Sequence, residues 1–483
     1  MKTHIEGLLD DREFFYRLFG EDPELIDLKK EMLRKVWVLF KENFIRRVER
    51  ENLFLISVPN RVEILGKHTD YQGGETIVLT GPKNFFAICG RAKDGISELM
   101  NADSAMGTTI LRFEGEKPDL LCEGIGSQYT MTVAKRFLNN LSISSLPPPC
   151  AVKAVFLSDI PIGGGTSGSS SKVITDFLIF SSASGIYFER KFVELLRENA
   201  VKAGMLLNQP GVDDFLLPLS MYLAHYENGL DFGGLRGDRG VGTFGGSEDH
   251  TAILLGERDR LLYCRFCPTE VLERLQIPGS YSIVVAYSGI RAEKTKDAME
   301  KYNLLSRTAS EAVALLNQLT CSTYSYLRDF LQDLPPGEAA AAASKLLNAS
   351  FGKPYIAERA YQFFEERNIL YRAVDCLKKG KIEEFGRLIN ISHDLSRDYL
   401  KNIVPEIDFL QKSACSLGAL GASGFGGGFG GCCYALVEQK NVPQFIREWK
   451  AAYLKQHPER LKEALVDLYP PCRGCYLEEI SGT

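Results

Sequence analysis

The apolar positions of this chain follow two periods that exchange places several times. From residue 12 to 50, Phe14, Phe15, Leu18, Leu28, Met32, Val36 and Leu39 recur at helical spacing among charged residues, which predicts helix. Leu53–Val58 then predicts a strand, followed by a polar turn and a second apolar strand, Ile77–Leu79. Val152–Leu157 predicts another strand, leading into a glycine/serine run and an apolar helix marked by Val173, Phe177 and Leu178. Residues 277–288 read as a strand, and residues 293–415 as largely helical, with Ile369, Leu370, Val374 and Leu377 on one face. A second glycine run, Gly421–Gly431, precedes the strand Tyr434–Val437. Strands and helices are interleaved throughout, so the class is α+β or α/β. The boundary is expected near residue 275, giving domains 1–275 and 276–483. No internal repeat is visible, and apart from the two glycine runs only Ala339–Ala343 is of low complexity.

Composition narrows the classes of partner. At 483 residues the chain is long enough for two or three packed domains. It is 45% hydrophobic and 25% charged with a formal net charge of −5, which argues against a nucleic-acid partner. The opening MKTHIEGLLDDREFF has no basic segment leading into an apolar one, and no apolar run approaches the ~18 residues of a membrane span. A cytoplasmic protein without membrane partners is expected. The 12 cysteines are scattered in apolar surroundings, as at Cys89, Cys376 and Cys432, which suits reduced thiols. The pairs Cys264/Cys267 and Cys472/Cys475 are too far apart in the chain for their spacing to argue a zinc site.

Three segments carry candidate chemistry. Pro161-Ile-Gly-Gly-Gly-Thr-Ser-Gly-Ser-Ser-Ser171 joins a strand to a helix. Glycines there let the backbone approach a ligand, and free N–H groups at a helix start favour an anion. A flexible linker has the same composition, but a linker needs no strand before it and no apolar helix after it. The loop lacks the lysine of a Walker A motif, since Ser169 stands in that place. Gly426, Gly428 and Gly431 match a dinucleotide fingerprint by letter, yet they lead into a strand instead of a helix.

The second segment, Pro59 to Gly74, places Arg61, Glu63, Lys67, His68 and Asp70 around an apolar Ile-Leu-Gly, which reads as a solvated hairpin loop or as a polar site. In the third, Glu248 and Asp249 stand in a glycine-rich turn before the apolar stretch Ala252–Leu255, as helix-capping residues or as a catalytic carboxylate.

Taken in chain order with the second glycine run, these segments resemble the galactokinase branch of the GHMP kinases. Arg61–Gly74 is similar to that family's sugar signature G-R-V-N-L-I-G-E-H-T-D-Y-N-G-G, and Pro161–Ser171 to its phosphate loop P-x-G-x-G-L-x-S-S-A. Gly245–His250 resembles the G-I-M-D-Q segment, and Gly426–Cys432 the late G-A-G-F-G-G-C motif. Between them, Phe385-Gly-Arg-Leu, Ser392-His, Arg397-Asp and Pro405-Glu-Ile-Asp408 resemble the F-G-E-L-M, S-H, R-D and P-E-L-D helices. The likeness runs from about residue 30 to 440.

The resemblance implies an ATP-dependent sugar 1-kinase with an N-terminal α+β domain of ribosomal-protein-S5 type and a ferredoxin-like C-terminal domain, monomeric or weakly self-associating. Asp249 would face the anomeric hydroxyl as general base or orienter, with Arg61 beside it keeping it ionised and stabilising the transferring phosphoryl group. Glu63, Lys67, His68, Asp70 and Tyr302 would line the sugar pocket. Gly163, Gly164, Gly165, Ser167, Ser169, Gly426 and Gly428 would bind ATP, and Ser169 and Glu227 would hold Mg²⁺.

The chain also departs from the pattern. Lys67 stands for the usual Glu and Glu63 for the usual Asn, which points away from galactose itself; in its sharpest form the Lys67 change predicts a uronic acid. Thr166, Gly168 and His250 are further replacements, and Gly233–Gly240 falls within an insertion before Asp249. The altered phosphate loop also admits a catalytically silent ATP- and sugar-binding sensor. Retention of both Arg61 and Asp249 favours the enzyme.

Overall fold

Strand β1 (Val48–Leu65) shows why the chain folds in layers. Its alternating side chains divide between two cores, Leu53 and Leu55 against the N-terminal helices, Phe54, Ile56 and Val58 on the other face. The computed structural model describes residues 4–114, 117–292, 296–334, 336–351 and 354–480. The helical pattern at the N-terminus resolves into His4–Asp10, Arg12–Phe19 and Pro23–Asn43, broken at Asp11 and at Gly20–Asp22, where Asp11 and Asp22 cap the helices that follow.

The remaining strands are β2 (Glu75–Ala92), β3 (Ile96–Asn101), β4 (Thr108–Glu114), β5 (Lys117–Cys122), β6 (Val152–Ser158), β7 (Leu261–Arg265), β8 (Glu270–Leu275), β9 (Tyr281–Tyr287), β10 (Gly421–Gly424), β11 (Cys432–Glu438), β12 (Leu465–Leu468) and β13 (Tyr476–Ile480). Among the described residues they form two sheets. A nine-stranded sheet has the order β13-β1-β2-β6-β3-β4-β5, with β7 pairing β2 and β8. The N-terminal helices cover one face, and Ser127–Leu141, Gly168–Ala183 and Leu216–Asn228 cover the other. The second sheet has the order β10-β11-β9-β12, with helices between β9 and β10 and between β11 and β12, which is the expected ferredoxin-like arrangement.

One expectation needs correction. Pro59–Leu65 is not part of a turn, because β1 continues through it, Val62, Ile64 and Leu65 entering the core shared by the two sheets. β8 and β9 lie on either side of the 275/276 position, and β13 returns to pair with β1. The stretch expected to be largely helical is so among the described residues, with the α-helices Lys296–Thr320, Pro336–Phe351, Pro354–Lys378, Ile382–Leu395 and Pro405–Ser416. No described helix is long and apolar enough to cross a membrane.

Candidate active site

Because Val62 and Ile64 point into the core, Arg61 and Glu63 point the other way, into a cavity of about 830 Å³. Irregular pairing with β2 on either side of Arg61–Glu63 bends the strand there. The turn after β1 begins at Gly66, whose φ of 101 places its α-hydrogen where a Cβ would lie 2.4 Å from Glu75 O. Thr69 Oγ1 donates to Gly66 O at 2.7 Å, closing the turn and presenting His68, Asp70 and Tyr71 to the cavity.

The glycine/serine run forms the opposite wall. Gly163, Gly164, Gly165, Ser167, Gly168 and Ser169 line the cavity, and the helix Gly168–Ala183 starts beneath them. Ser167 presents its hydroxyl to the cavity beside Asp249, whereas Thr166 is buried outside the lining. The second glycine run lies directly on the first. A Cβ on Gly426 would stand 2.3 Å from Gly165 O, and one on Gly431 would stand 2.7 Å from Gly164 O. The segment after β9 ties them together through Ala292 N to Gly163 O at 2.7 Å and Ser288 N to Gly431 O at 3.0 Å.

Helix Glu248–Leu255 brings the acids in from a third side. Arg61 Nε donates to Asp249 Oδ1 at 2.8 Å and lies 3.1 Å from Glu248 Oε1. Burial works against charge on Asp249, but the Arg61 guanidinium outweighs it and holds the carboxyl below its ordinary range. Glu63 and Glu248 go the other way, pushed up chiefly by burial although Arg61 opposes the shift. Asp70 is raised to about 6 by burial and by Asp249. His68 is lowered to about 3 by burial and by the nearby Arg359 and Arg61, and is therefore neutral. Gly245 and Gly246 make room for this convergence, since a Cβ on Gly246 would stand 2.3 Å from Asp70 Oδ2 and one on Gly245 3.0 Å from the Tyr302 hydroxyl. Tyr302 lines the cavity with its ring centroid 5.5 Å from that of His68.

Glu227 reaches the same corner. Ser170 Oγ lies 3.2 Å from both Glu227 Oε2 and Asp249 Oδ2, and its single proton serves one of them at a time. Glu227 Oε1 is buried without a partner. With the Ser169 hydroxyl, which also lines the cavity, the Glu227 carboxylate supplies oxygen donors that fit a hard cation such as Mg²⁺. Among the described residues no group of three or more His, Cys, Asp or Glu is placed to hold a metal alone.

Every predicted site residue except Lys67 lines this cavity. The Lys67 ammonium turns behind the turn, where it is buried and donates to Ser423 Oγ, so it does not face the cavity. Glu63 lines the cavity but also accepts from Gly426 N at 2.8 Å, which makes it a tie to the second glycine run. Sequence reasoning gave no site role to Tyr71 or to the more apolar end of the cavity at Met106, Ile125 and Tyr129, and it named Glu248 only as the neighbour of Asp249. Ser170 was signalled only by the serine run, and the apolar end by no local pattern.

Comparison with known proteins matches this architecture in two places. The model of the galactokinase galactose-binding signature matches residues 39–91, and that of the GHMP kinases C-terminal domain matches residues 373–455. The chain is 28% identical over 400 residues to a galactokinase of Enterococcus faecalis, covering 82% of this chain and 88% of that one. It is 25% identical over 416 residues to a galacturonokinase of Arabidopsis thaliana, covering 84% and 88%. Among solved structures, Lactococcus lactis galactokinase complexed with galactose superposes with a TM-score of 0.70 at 20% identity, over 93% of this chain and 99% of that one. Methanococcus jannaschii mevalonate kinase gives a TM-score of 0.51 at 15% identity, over 87% and 98%. The two structural likenesses establish the fold.

Proposed function

For this chain, which belongs to the galactokinase-like branch of the GHMP kinase superfamily, we propose an ATP-dependent kinase that phosphorylates the anomeric hydroxyl of a galactose-like sugar. The observation that carries it is the Arg61–Asp249 pair, set between the glycine-loop wall and the His68–Asp70 turn of one cavity. The nucleotide lies along Gly163–Ser169, its phosphates taking hydrogen bonds from the loop amides and from Ser167, its base toward Met106, Ile125 and Tyr129. Gly426–Gly428 cover the phosphates from the other side. The sugar lies against His68, Asp70, Tyr71 and Tyr302, where Asp70 accepts from its hydroxyls and neutral His68 serves as donor or acceptor.

Asp249 is ionised and accepts a hydrogen bond from the C1 hydroxyl, aiming the oxygen at the γ-phosphorus. Its lowered basicity suits a loose phosphoryl transfer, in which the hydroxyl proton leaves late. Arg61 keeps Asp249 charged and stabilises negative charge gathering on the transferring group. Mg²⁺, held by Ser169 and Glu227, would neutralise phosphate charge when bound.

The sugar is an uncharged hexose on this reading. Lys67 does not reach the cavity, Arg61 is engaged by Asp249, and Glu63, Asp70 and Asp249 crowd the same end. Coupled ADP release over a panel including galactose and galacturonate tests the proposal, with ³¹P NMR identifying the phosphorylated carbon. Turnover with galactose, and little with galacturonate, is expected. A chain that binds ATP and sugar but releases no ADP would be a sensor instead.

A further inference from the structure

The sugar turn Gly66–Tyr71 holds a costly backbone, because His68 sits at φ 58, a region unfavourable for any residue with a side chain. Three side chains of helix Pro354–Lys378 reach that backbone. Arg359 Nη2 donates to His68 O and, at 3.1 Å, to the Tyr71 hydroxyl. Gln362 Nε2 donates to Lys67 O at 3.1 Å. Glu366 Oε1 accepts from Gly66 N at 2.9 Å, Lys67 N at 3.2 Å and Ser392 Oγ at 2.8 Å. Spaced by three and four residues, the three form one stripe on the helix, and all are buried. Arg367 extends it, gripping Glu75 at 2.6 and 2.8 Å where β2 begins. Both ends of the turn are thus tied to a single helix.

Lys67 completes the arrangement. Burial works against its charge, and the nearest support comes from Glu366 and then Glu63. Glu366 Oε2 is itself buried without a hydrogen-bond partner. The backbone N–H of Lys67, 3.2 Å from Glu366 Oε1, joins the two residues, so the ammonium and the carboxylate lie within one buried cluster.

Resting on the sugar-kinase reading, we propose that helix Pro354–Lys378 positions the sugar subsite, with Arg359, Gln362 and Glu366 as positioning residues and Lys67 as the buried counter-charge of Glu366. A lysine at position 67 then changes how the turn is anchored, and not which sugar group is read.

The test uses Glu366→Gln, Lys67→Met and their combination in the full chain. Replacing a charge-assisted acceptor by a neutral one should raise the sugar KM roughly 10-fold, with the ATP KM within about twofold of wild type. The double variant should be impaired less than the product of the two single effects, since it removes both charges together. Without any substrate, amide hydrogen exchange over residues 64–72 should quicken in Glu366→Gln. If that variant does not fold, Arg359→Lys keeps the charge, loses the planar fork and reports the same KM split and exchange. Sugar and ATP KM rising together, additive single effects, or unchanged exchange at 64–72 would each overturn the proposal. A wild-type enzyme that phosphorylates no sugar would overturn the functional reading alone, and the exchange comparison would still decide the positioning role.

Discussion

Arg61 Nε donates to Asp249 Oδ1 at 2.8 Å, joining residues 188 positions apart in the chain. One buried guanidinium thereby keeps Asp249 charged within a cluster of acids. Asp249 is held low, while burial pushes Glu63 and Glu248 up. Arg61 is also buried against Glu248, so removing it would leave that acid cluster without its counter-charge, and Arg61 serves the fold as well as the chemistry.

Asp249→Asn should lower kcat by a factor on the order of 10²–10⁴, because the amide neither accepts the proton nor carries the charge that orients the hydroxyl. Affinity for a non-hydrolysable ATP analogue, measured by calorimetry, should change little. Near wild-type turnover would remove Asp249 from the mechanism.

Gly426→Ala addresses the contact between the two glycine runs. With φ at +75 and a Cβ only 2.3 Å from Gly165 O, the variant must push the runs apart. Strain of that kind should weaken binding of the ATP analogue on the order of 10-fold, while the thermal midpoint moves less than for a core substitution. Unchanged nucleotide affinity would mean that the contact does not shape the phosphate site.

Glu227→Gln tests the cation corner. The amide keeps the shape but loses the charge at the orphaned Oε1. The Mg²⁺ concentration giving half-maximal rate should rise roughly 10-fold or more, and excess Mg²⁺ should recover much of the activity. A loss of activity independent of Mg²⁺ would separate Glu227 from the metal.

The pH dependence should show Asp70. Its carboxyl, raised to about 6, must be ionised to accept sugar hydroxyls, so kcat/KM for the sugar should rise through about pH 6 to a plateau. Asp249 is shifted downward and should add no limb in that range. The sign for stability is opposite to that for activity. An acid whose folded pKa exceeds its unfolded value binds more protons when folded, so Asp70 contributes less to stability as pH rises from about 4 to 6. In Asp70→Asn the limb should vanish and the plateau fall, whereas a limb that persists would belong to another group.

Much of this protein was determined by sequence. Alternation through Val62 and Ile64 dictates that Arg61 and Glu63 share the opposite face, although only the pairing with β2 revealed a strand there. A glycine/serine run between a strand and an apolar helix makes a phosphate cradle on local grounds, and the ordered motifs carried the family. Tertiary structure alone decided where Lys67 points. A side chain leaving a turn can face either way, and here Glu366 and Ser423, 299 and 356 residues distant, favour the side away from the cavity. The apolar end at Met106, Ile125 and Tyr129 was hidden for the same reason, because a cavity is defined by surfaces that meet only after the sheets pack. Local periodicity reports which face a residue occupies; what lies opposite that face depends on distant chain, whose approach no local pattern encodes.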